Sequence, residues 1–207
     1  MRVKEPSTNV YFIRHGQTDF PLDRIYCDNE EDPALNTNGI YQAKSAAVWL
    51  KDKNIRAIYA SPALRTQMTA KEISDVTGID VITRNEWVER RFGIWEGLYF
   101  HEIEAQYPDL YLKWKQDNVG FSPEGGENIS DVLERLDSSL QQILANHKGE
   151  TIAIVSHVGP IRVSLCQSLN IPIENFRQIR IDYASISRVD YGATRNNLIS
   201  INSYNYS

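Results

Sequence analysis

Two of the four histidines in the chain directly follow short apolar runs. His15 comes after Arg14 and the run Val10–Ile13, and His157 comes after the run Thr151–Ser156. Runs of this kind predict buried strands, and ligands of open α/β sheets bind beyond the carboxyl ends of the strands. We therefore expect both imidazoles at one ligand site.

A second arginine has a similar position. Arg65 follows the run Ala57–Ala60 at the start of a predicted helix. We expect Ser61 to be the N-cap of that helix, Pro62 its first residue and Gly78 its end. An arginine beside a helix N-terminus indicates a site for an anion.

These groups together suit a doubly charged phosphate. The guanidinium groups of Arg14 and Arg65 and a protonated His157 match its oxygens. We therefore expect Arg14, Arg65, His15 and His157 to converge on one phosphate.

Strands alternate with helices along the chain. Helical spacing of apolar residues predicts one helix around residues 40–50, a second over residues 129–144 and a third from His157 to about Leu169. The tail, Ser185–Tyr191 and Leu198–Asn202, is typical of a hairpin. We predict one α/β domain over residues 1–207, a three-layer αβα structure with a mostly parallel sheet.

Residues 94–124 interrupt this pattern with seven aromatic residues and no strand-like run. We interpret them as a small inserted lid; ordinary helical packing is the alternative. The segment has six acidic residues against Lys113 and Lys115. That charge favours a substrate with one phosphate and an apolar or cationic remainder.

Composition excludes several classes of protein. The 207 residues are 42% hydrophobic and 24% charged, with a net charge of −5 and no basic run, which argues against nucleic acid as a partner. There is no apolar run long enough for a membrane span, and the first residues lack an apolar signal core. Cys27 and Cys166 are far apart, so we expect a reduced, cytoplasmic protein without a disulfide framework or metal site. The oligomeric state is left open.

Six segments resemble, in the right order, the histidine phosphatase superfamily, also called the phosphoglycerate mutase-like family. They span roughly residues 10 to 165. The two histidine motifs correspond to Arg14-His15-Gly16-Gln17-Thr18 and to residues 155–162, and the second arginine motif corresponds to Ser61-Pro62-Ala63-Leu64-Arg65. The glycine turn corresponds to residues 35–43, the segment with the catalytic acid to residues 89–97, and the entry to the following helix to residues 123–128.

The resemblance implies a phosphoglycerate mutase-like fold and a phosphohistidine on His15. It implies that three groups hold the phosphate oxygens: Arg14, Arg65 and His157. Glu89, chosen over Glu86 and Glu96 by its spacing to Phe92-Gly93, would protonate the leaving oxygen and later activate water. The same motifs imply that Gln17, Thr18 and Val158 join Arg14 and Arg65 in binding a small phosphomonoester, with no metal or cofactor.

Two departures from the family pattern bear on the reaction. Pro21 stands where the signature often has asparagine, and Val158-Gly159 stands where the mutases resemble His-Gly-Asn. Both remove polar groups and favour a phosphatase resembling α-ribazole phosphatase or the metal-independent phosphoserine phosphatases. The alternatives are a cofactor-dependent phosphoglycerate mutase and an inactive member that only binds a phosphorylated ligand.

Overall fold

The computed structural model describes residues 7–26 and 31–204. Cys27 lies outside these residues, and Cys166 is a buried free thiol. The strands are β1 (Thr8–Arg14), β2 (Ile55–Ala60), β3 (Val81–Thr83), β4 (Thr151–Ser156), β5 (Ile186–Tyr191) and β6 (Asn196–Ser203). The α-helices are α1 (Thr37–Leu50), α2 (Leu64–Thr77), α3 (Phe100–Gln106), α4 (Pro108–Gln116), α5 (Ile129–Asn146) and α6 (Val158–Leu169). Short 3₁₀ helices occupy Asn85–Trp87, Gly93–Trp95 and Ile173–Gln178.

The six strands form one mixed sheet in the order β3-β2-β4-β1-β5-β6. The pairs β1–β4, β2–β4 and β2–β3 are parallel, whereas β5 is antiparallel to both β1 and β6. The predicted α/β class, the mostly parallel sheet and the C-terminal hairpin are confirmed. Because β4 lies between β1 and β2, the carboxyl ends of these three strands are neighbours.

Successive residues of the central strands pack alternately into two hydrophobic cores, one on each face of the sheet. In β1, Val10 and Phe12 pack in the core that contains α5 and α6 residues, whereas Tyr11 and Ile13 pack in the core that contains α1 and α2 residues. Helices therefore cover both faces of the sheet, which is why these strands are continuously apolar in sequence. This arrangement holds the strand ends rigidly.

The predicted N-cap of α2 is wrong. The helix begins at Leu64 and its N-cap is Ala63, which provides no side-chain hydrogen bond. Instead, both carboxylate oxygens of Asp32 accept from the Leu64 N–H, at 2.8 and 2.9 Å. A carboxylate from a distant loop thus does the work expected of Ser61. The predicted end at Gly78 is confirmed, with a left-handed φ of 72°.

Residues 94–124 contain α3 and α4, which pack around a small aromatic core of their own. Its buried members include Trp95, Ile103 and Trp114, and Ile25 from the loop after β1 packs among them. The role of this segment as a lid stays a prediction. No helix among residues 7–26 and 31–204 has the length and apolar character to cross a membrane.

Candidate active site

The ends of β1 and β4 bring the two motif histidines together. Arg14 and Ser156 are paired in register, and the His15 N–H donates to the Ser156 carbonyl at 3.0 Å. The rings of His15 and His157 consequently lie 5.3 Å apart between centroids. Both residues are almost completely buried.

His15 is held in one ring orientation by its own loop. Its Nδ1 lies 2.8 Å from the Gly16 carbonyl oxygen, which can only accept, so Nδ1 carries the hydrogen. Burial and the nearby charges of Arg14 and Arg65 place the pKa of His15 well below its usual 6.5. The ring is therefore neutral near pH 7, with the lone pair on Nε2.

His157 lies between a serine and an arginine. Its Nδ1 is 3.2 Å from an Arg65 guanidinium nitrogen, and its Nε2 is 2.9 Å from the Ser61 hydroxyl. Since the guanidinium only donates, Nδ1 accepts and Nε2 carries the hydrogen. Burial, then the charges of Arg65 and His15, lower the pKa of His157 well below 6.5. This direction, caused mainly by burial, argues against the protonated His157 expected from the sequence.

Each of the two arginines stacks on a tyrosine. The Arg14 guanidinium carbon is 3.9 Å from the ring centroid of Tyr183, and that of Arg65 is 4.0 Å from Tyr26. Arg14 also donates to the Ile181 carbonyl at 2.9 Å. Cation–π contacts in a desolvated site fix a guanidinium without neutralising it. Both arginines keep their positive charge for an anion.

Arg65 has one more partner in the loop before α1. Its side chain is completely buried and lies 3.5 Å from a carboxylate oxygen of Asp32. The same carboxylate caps α2. Asp32 therefore contacts both the N-terminus of the helix that carries Arg65 and the guanidinium group of Arg65.

Glu89 lies at the N-terminus of α6, opposite the histidines. One carboxylate oxygen accepts from the Arg90 N–H at 2.8 Å and the other from the Gly159 N–H at 3.3 Å. A Cβ atom on Gly159 would lie 2.2 Å from the Glu89 carboxylate, so only glycine permits this approach. Glu89 lines the same cavity as His15, whereas Glu86 does not.

Gln17 and Thr18 do not reach this cavity. The side-chain oxygen of Gln17 accepts from Asn38 of α1, and the Thr18 hydroxyl bonds the Tyr26 hydroxyl at 3.0 Å. Their assignment to substrate binding therefore has no support from their positions; Thr18 orients Tyr26 instead. Val158 does line the cavity.

The cavity has a volume of about 250 Å³, which suits a small metabolite. Sequence reasoning missed four residues that shape the phosphate end of this site: Tyr26, Asp32, Ser61 and Tyr183. Tyr183 could have been found, because it precedes an antiparallel strand whose start lies beside the carboxyl end of β1. Tyr26 and Asp32 lie outside the helices and strands, and no sequence pattern at either position reveals them.

Within residues 7–26 and 31–204, no group of three or more histidine, cysteine, aspartate or glutamate side chains is arranged to hold a metal ion.

Comparison with known proteins gives a consistent result. The sequence profile described as "Histidine phosphatase superfamily (branch 1)" matches residues 10–204. Phosphoserine phosphatase 1 of Hydrogenobacter thermophilus is 29% identical over 194 residues, covering 93% of this chain and 91% of its own length. In structure, the chain is similar to the α-ribazole phosphatase of Shigella flexneri, with a TM-score of 0.85 and 25% identity, covering 94% and 96% of the two chains.

Another relative is longer than this chain. A bifunctional protein of Mycobacterium tuberculosis is 34% identical over 187 residues, which cover 90% of this chain but 51% of that protein. The chain thus spans about half the length of this relative.

Proposed function

The chain belongs to the histidine phosphatase superfamily, and from this premise we propose that it is a phosphoric monoester hydrolase that acts on a small phosphorylated metabolite through a phosphohistidine on His15, without a metal ion. The observation that carries the proposal is the bond between His15 Nδ1 and the Gly16 carbonyl. It leaves the Nε2 lone pair available, and burial keeps the ring neutral. A neutral, oriented imidazole is the form that attacks phosphorus.

Arg14 and Arg65 would hold oxygens of the phosphoryl group during transfer, and His157 would donate to a further oxygen from Nε2 in place of its bond to Ser61. Fixed guanidinium groups stabilise the charge that spreads over these oxygens in the transition state. Tyr26 and Tyr183 hold the two arginines in place by stacking. Because the guanidinium groups of Arg14 and Arg65 supply the positive charge, we expect the reaction to require no metal.

Glu89 would act twice. As Nε2 of His15 bonds to phosphorus, the ester P–O bond breaks and Glu89 gives its proton to the departing oxygen. Water then attacks the phosphohistidine, and Glu89 takes a proton from that water while the P–N bond breaks. Inorganic phosphate leaves, and both His15 and Glu89 return to their starting forms.

Hydrolysis is favoured over mutase chemistry by the cavity wall. Pro21 and Val158, the two departures from the family pattern, both line the cavity with apolar surface. In the family pattern of the mutases these two positions lie near the phosphate and carry polar groups, which this chain lacks. Two of the relatives described above are named as phosphatases for phosphoserine and α-ribazole, so the substrate itself does not transfer from either.

We propose a cytoplasmic location on the basis of composition, because a chain with two cysteines far apart suits a reducing compartment. An inactive ligand-binding role is disfavoured because His15, Glu89 and Arg14 all line one cavity.

The experiment that tests the proposal is mass spectrometry of enzyme mixed with nitrophenyl phosphate and quenched under alkaline conditions, which preserve phosphohistidine. We expect one phosphoryl group on His15. His15→Ala should lose the label and turnover, whereas a variant of the exposed His101, His101→Ala, should keep both. Label on a serine or aspartate would overturn the mechanism.

A further inference from the structure

The cavity beside His15 concentrates positive charge in a chain whose net charge is −5. Its only carboxylate among the described residues that line it is Glu89, and against this stand five arginines: Arg14, Arg24, Arg90, Arg162 and Arg177. An acidic protein that gathers arginines in one cavity is suited to an anionic ligand there. The phosphate accounts for Arg14, so the other four need an explanation.

Two of the four are bound by the protein itself. Arg24 donates to the Gly97 carbonyl at 2.6 Å and to both carboxylate oxygens of Glu31, at 2.7 and 3.3 Å. Arg90 donates to three backbone carbonyls, those of residues 118, 121 and 127. These two guanidinium groups stabilise loops around the cavity, and neither is available to a ligand.

The other two arginines of the cavity, Arg162 and Arg177, make fewer contacts with the protein. Nε of Arg162 donates to the Ile179 carbonyl at 2.6 Å, and its two terminal nitrogens have no protein acceptor within residues 7–26 and 31–204. Arg177 has no hydrogen-bond or ion-pair acceptor in that part of the chain, and its guanidinium carbon lies 4.8 Å from the Trp114 ring centroid. Two guanidinium groups with donors that no described residue accepts from thus line the cavity.

The two groups are close enough to influence each other. Burial lowers the pKa of Arg162; Glu89 raises it, and the charges of Arg14 and Arg177 lower it further. Burial also lowers the pKa of Arg177. An anion between the two arginines would relieve both the repulsion and the desolvation.

The rest of this wall is apolar and comes mainly from helices, with side chains that include Phe100, Val132, Val163 and Phe176. An apolar wall excludes water and strengthens a charge-assisted hydrogen bond to a guanidinium. The phosphate end of the site lies at His15, and the two open arginines belong to the same cavity.

We propose that the substrate is a phosphomonoester whose other end is a carboxylate, and that Arg162 and Arg177 bind this carboxylate. This inference rests on the proposed phosphatase function. A carboxylate suits this pair because its two oxygens offer one acceptor to each guanidinium group; a doubly charged group is the alternative that the third substrate below tests.

The charge of the substrate expected from sequence is therefore reversed. The six acids of residues 94–124 favoured an apolar or cationic remainder, but Phe100 is the one residue of that segment that lines this cavity. The charge that faces the substrate comes from α6 and from the 3₁₀ helix at residues 173–178.

A matched pair of substrates tests this inference. The phosphate ester of 3-hydroxypropanoate and that of its amide have the same shape and similar leaving alcohols, and differ in one negative charge. We expect kcat/KM to be about ten- to a hundred-fold higher for the carboxylate, the usual range for a hydrogen bond to a charged group. A phosphonate in place of the carboxylate forms the third substrate.

Variants assign the preference to the two arginines. Arg162→Gln and Arg177→Gln should each reduce the carboxylate-to-amide ratio of kcat/KM by about tenfold. Arg56→Gln is the matched control, because Arg56 is an exposed residue of β2 outside the cavity, and its ratio should equal that of the wild type. Thermal unfolding of each variant checks that it folds.

Equal kcat/KM for acid and amide in the wild type would overturn the inference, as would ratios unchanged by both arginine variants. A higher kcat/KM for the phosphonate than for the carboxylate would also contradict the inference, because it would show that the site prefers a doubly charged group. Nitrophenyl phosphate separates these results from failure of the proposed function: if the wild type hydrolyses it but shows no preference for carboxylate, only the carboxylate site is wrong.

Discussion

Arg65 donates a hydrogen bond to Nδ1 of His157 at 3.2 Å, and the Ser61 hydroxyl lies 2.9 Å from the other nitrogen of that ring. Arg65 and His157 are therefore fixed against each other, although they come from two different strand ends. Groups oriented in advance stabilise a transition state without the cost of reorganisation. The predictions below concern the residues around this pair.

Replacing Glu89 should separate the two chemical steps. A nitrophenolate leaves without help, whereas an alkoxide needs a proton. We expect Glu89→Gln to slow the hydrolysis of an alkyl phosphate about a hundred-fold or more. With nitrophenyl phosphate, stopped-flow absorbance should show a burst of nitrophenol followed by slow turnover, since dephosphorylation then becomes limiting.

Glu86→Gln is the control for this experiment, because Glu86 does not line the cavity beside His15. If it produces the burst and Glu89→Gln does not, the acid has been misassigned.

Tyr26 should act through Arg65. Tyr26→Phe keeps the ring that stacks on the guanidinium, whereas Tyr26→Leu removes it. A desolvated cation–π contact contributes up to about 2 kcal/mol, so kcat/KM should fall about tenfold in Tyr26→Leu and much less in Tyr26→Phe. Steady-state kinetics with nitrophenyl phosphate measure both. Equal losses in the two variants would mean that the hydroxyl, and not the stacked ring, is what matters.

The two buried histidines should make the protein less stable in acid. Both have pKa values well below 6.5 in the folded chain, mainly because of burial. Below about pH 6.5 the unfolded chain binds protons that the folded chain does not, so the free energy of unfolding falls as pH falls toward the folded pKa values. Each histidine contributes a slope of up to about 1.4 kcal/mol per pH unit.

Urea unfolding between about pH 7.5 and pH 5 measures this slope. His15→Gln should flatten it, whereas His101→Gln, at an exposed position, should leave it as in the wild type. An unchanged slope in His15→Gln would show that the ring is charged in the folded state.

Activity should persist in excess chelator. Arg14 and Arg65 provide the positive charge that a metal would otherwise supply to the phosphate. Turnover of nitrophenyl phosphate after dialysis against EDTA checks this. Loss of turnover that magnesium or zinc restores would contradict the mechanism.

The sequence by itself determined the sheet and the positions of both histidines. Val10–Ile13 and Thr151–Ser156 are apolar because both faces of their strands are covered, and that constraint is local and visible in the residue pattern. His15 and His157 come directly after these two strands, so the sequence alone predicted that they would meet at the carboxyl edge of the sheet. Arg65 also comes after a strand, β2, so it was expected at the same edge.

Tertiary structure decided what surrounds these groups. Ser61 bonds His157 rather than capping α2, and Asp32 caps that helix from 32 residues away in sequence. Burial and the charge of Arg65 lower the pKa of His157. The charge facing the substrate depends on which arginines are left without a protein acceptor. Each of these properties depends on contacts between residues that are distant in sequence, so no local sequence pattern predicts it.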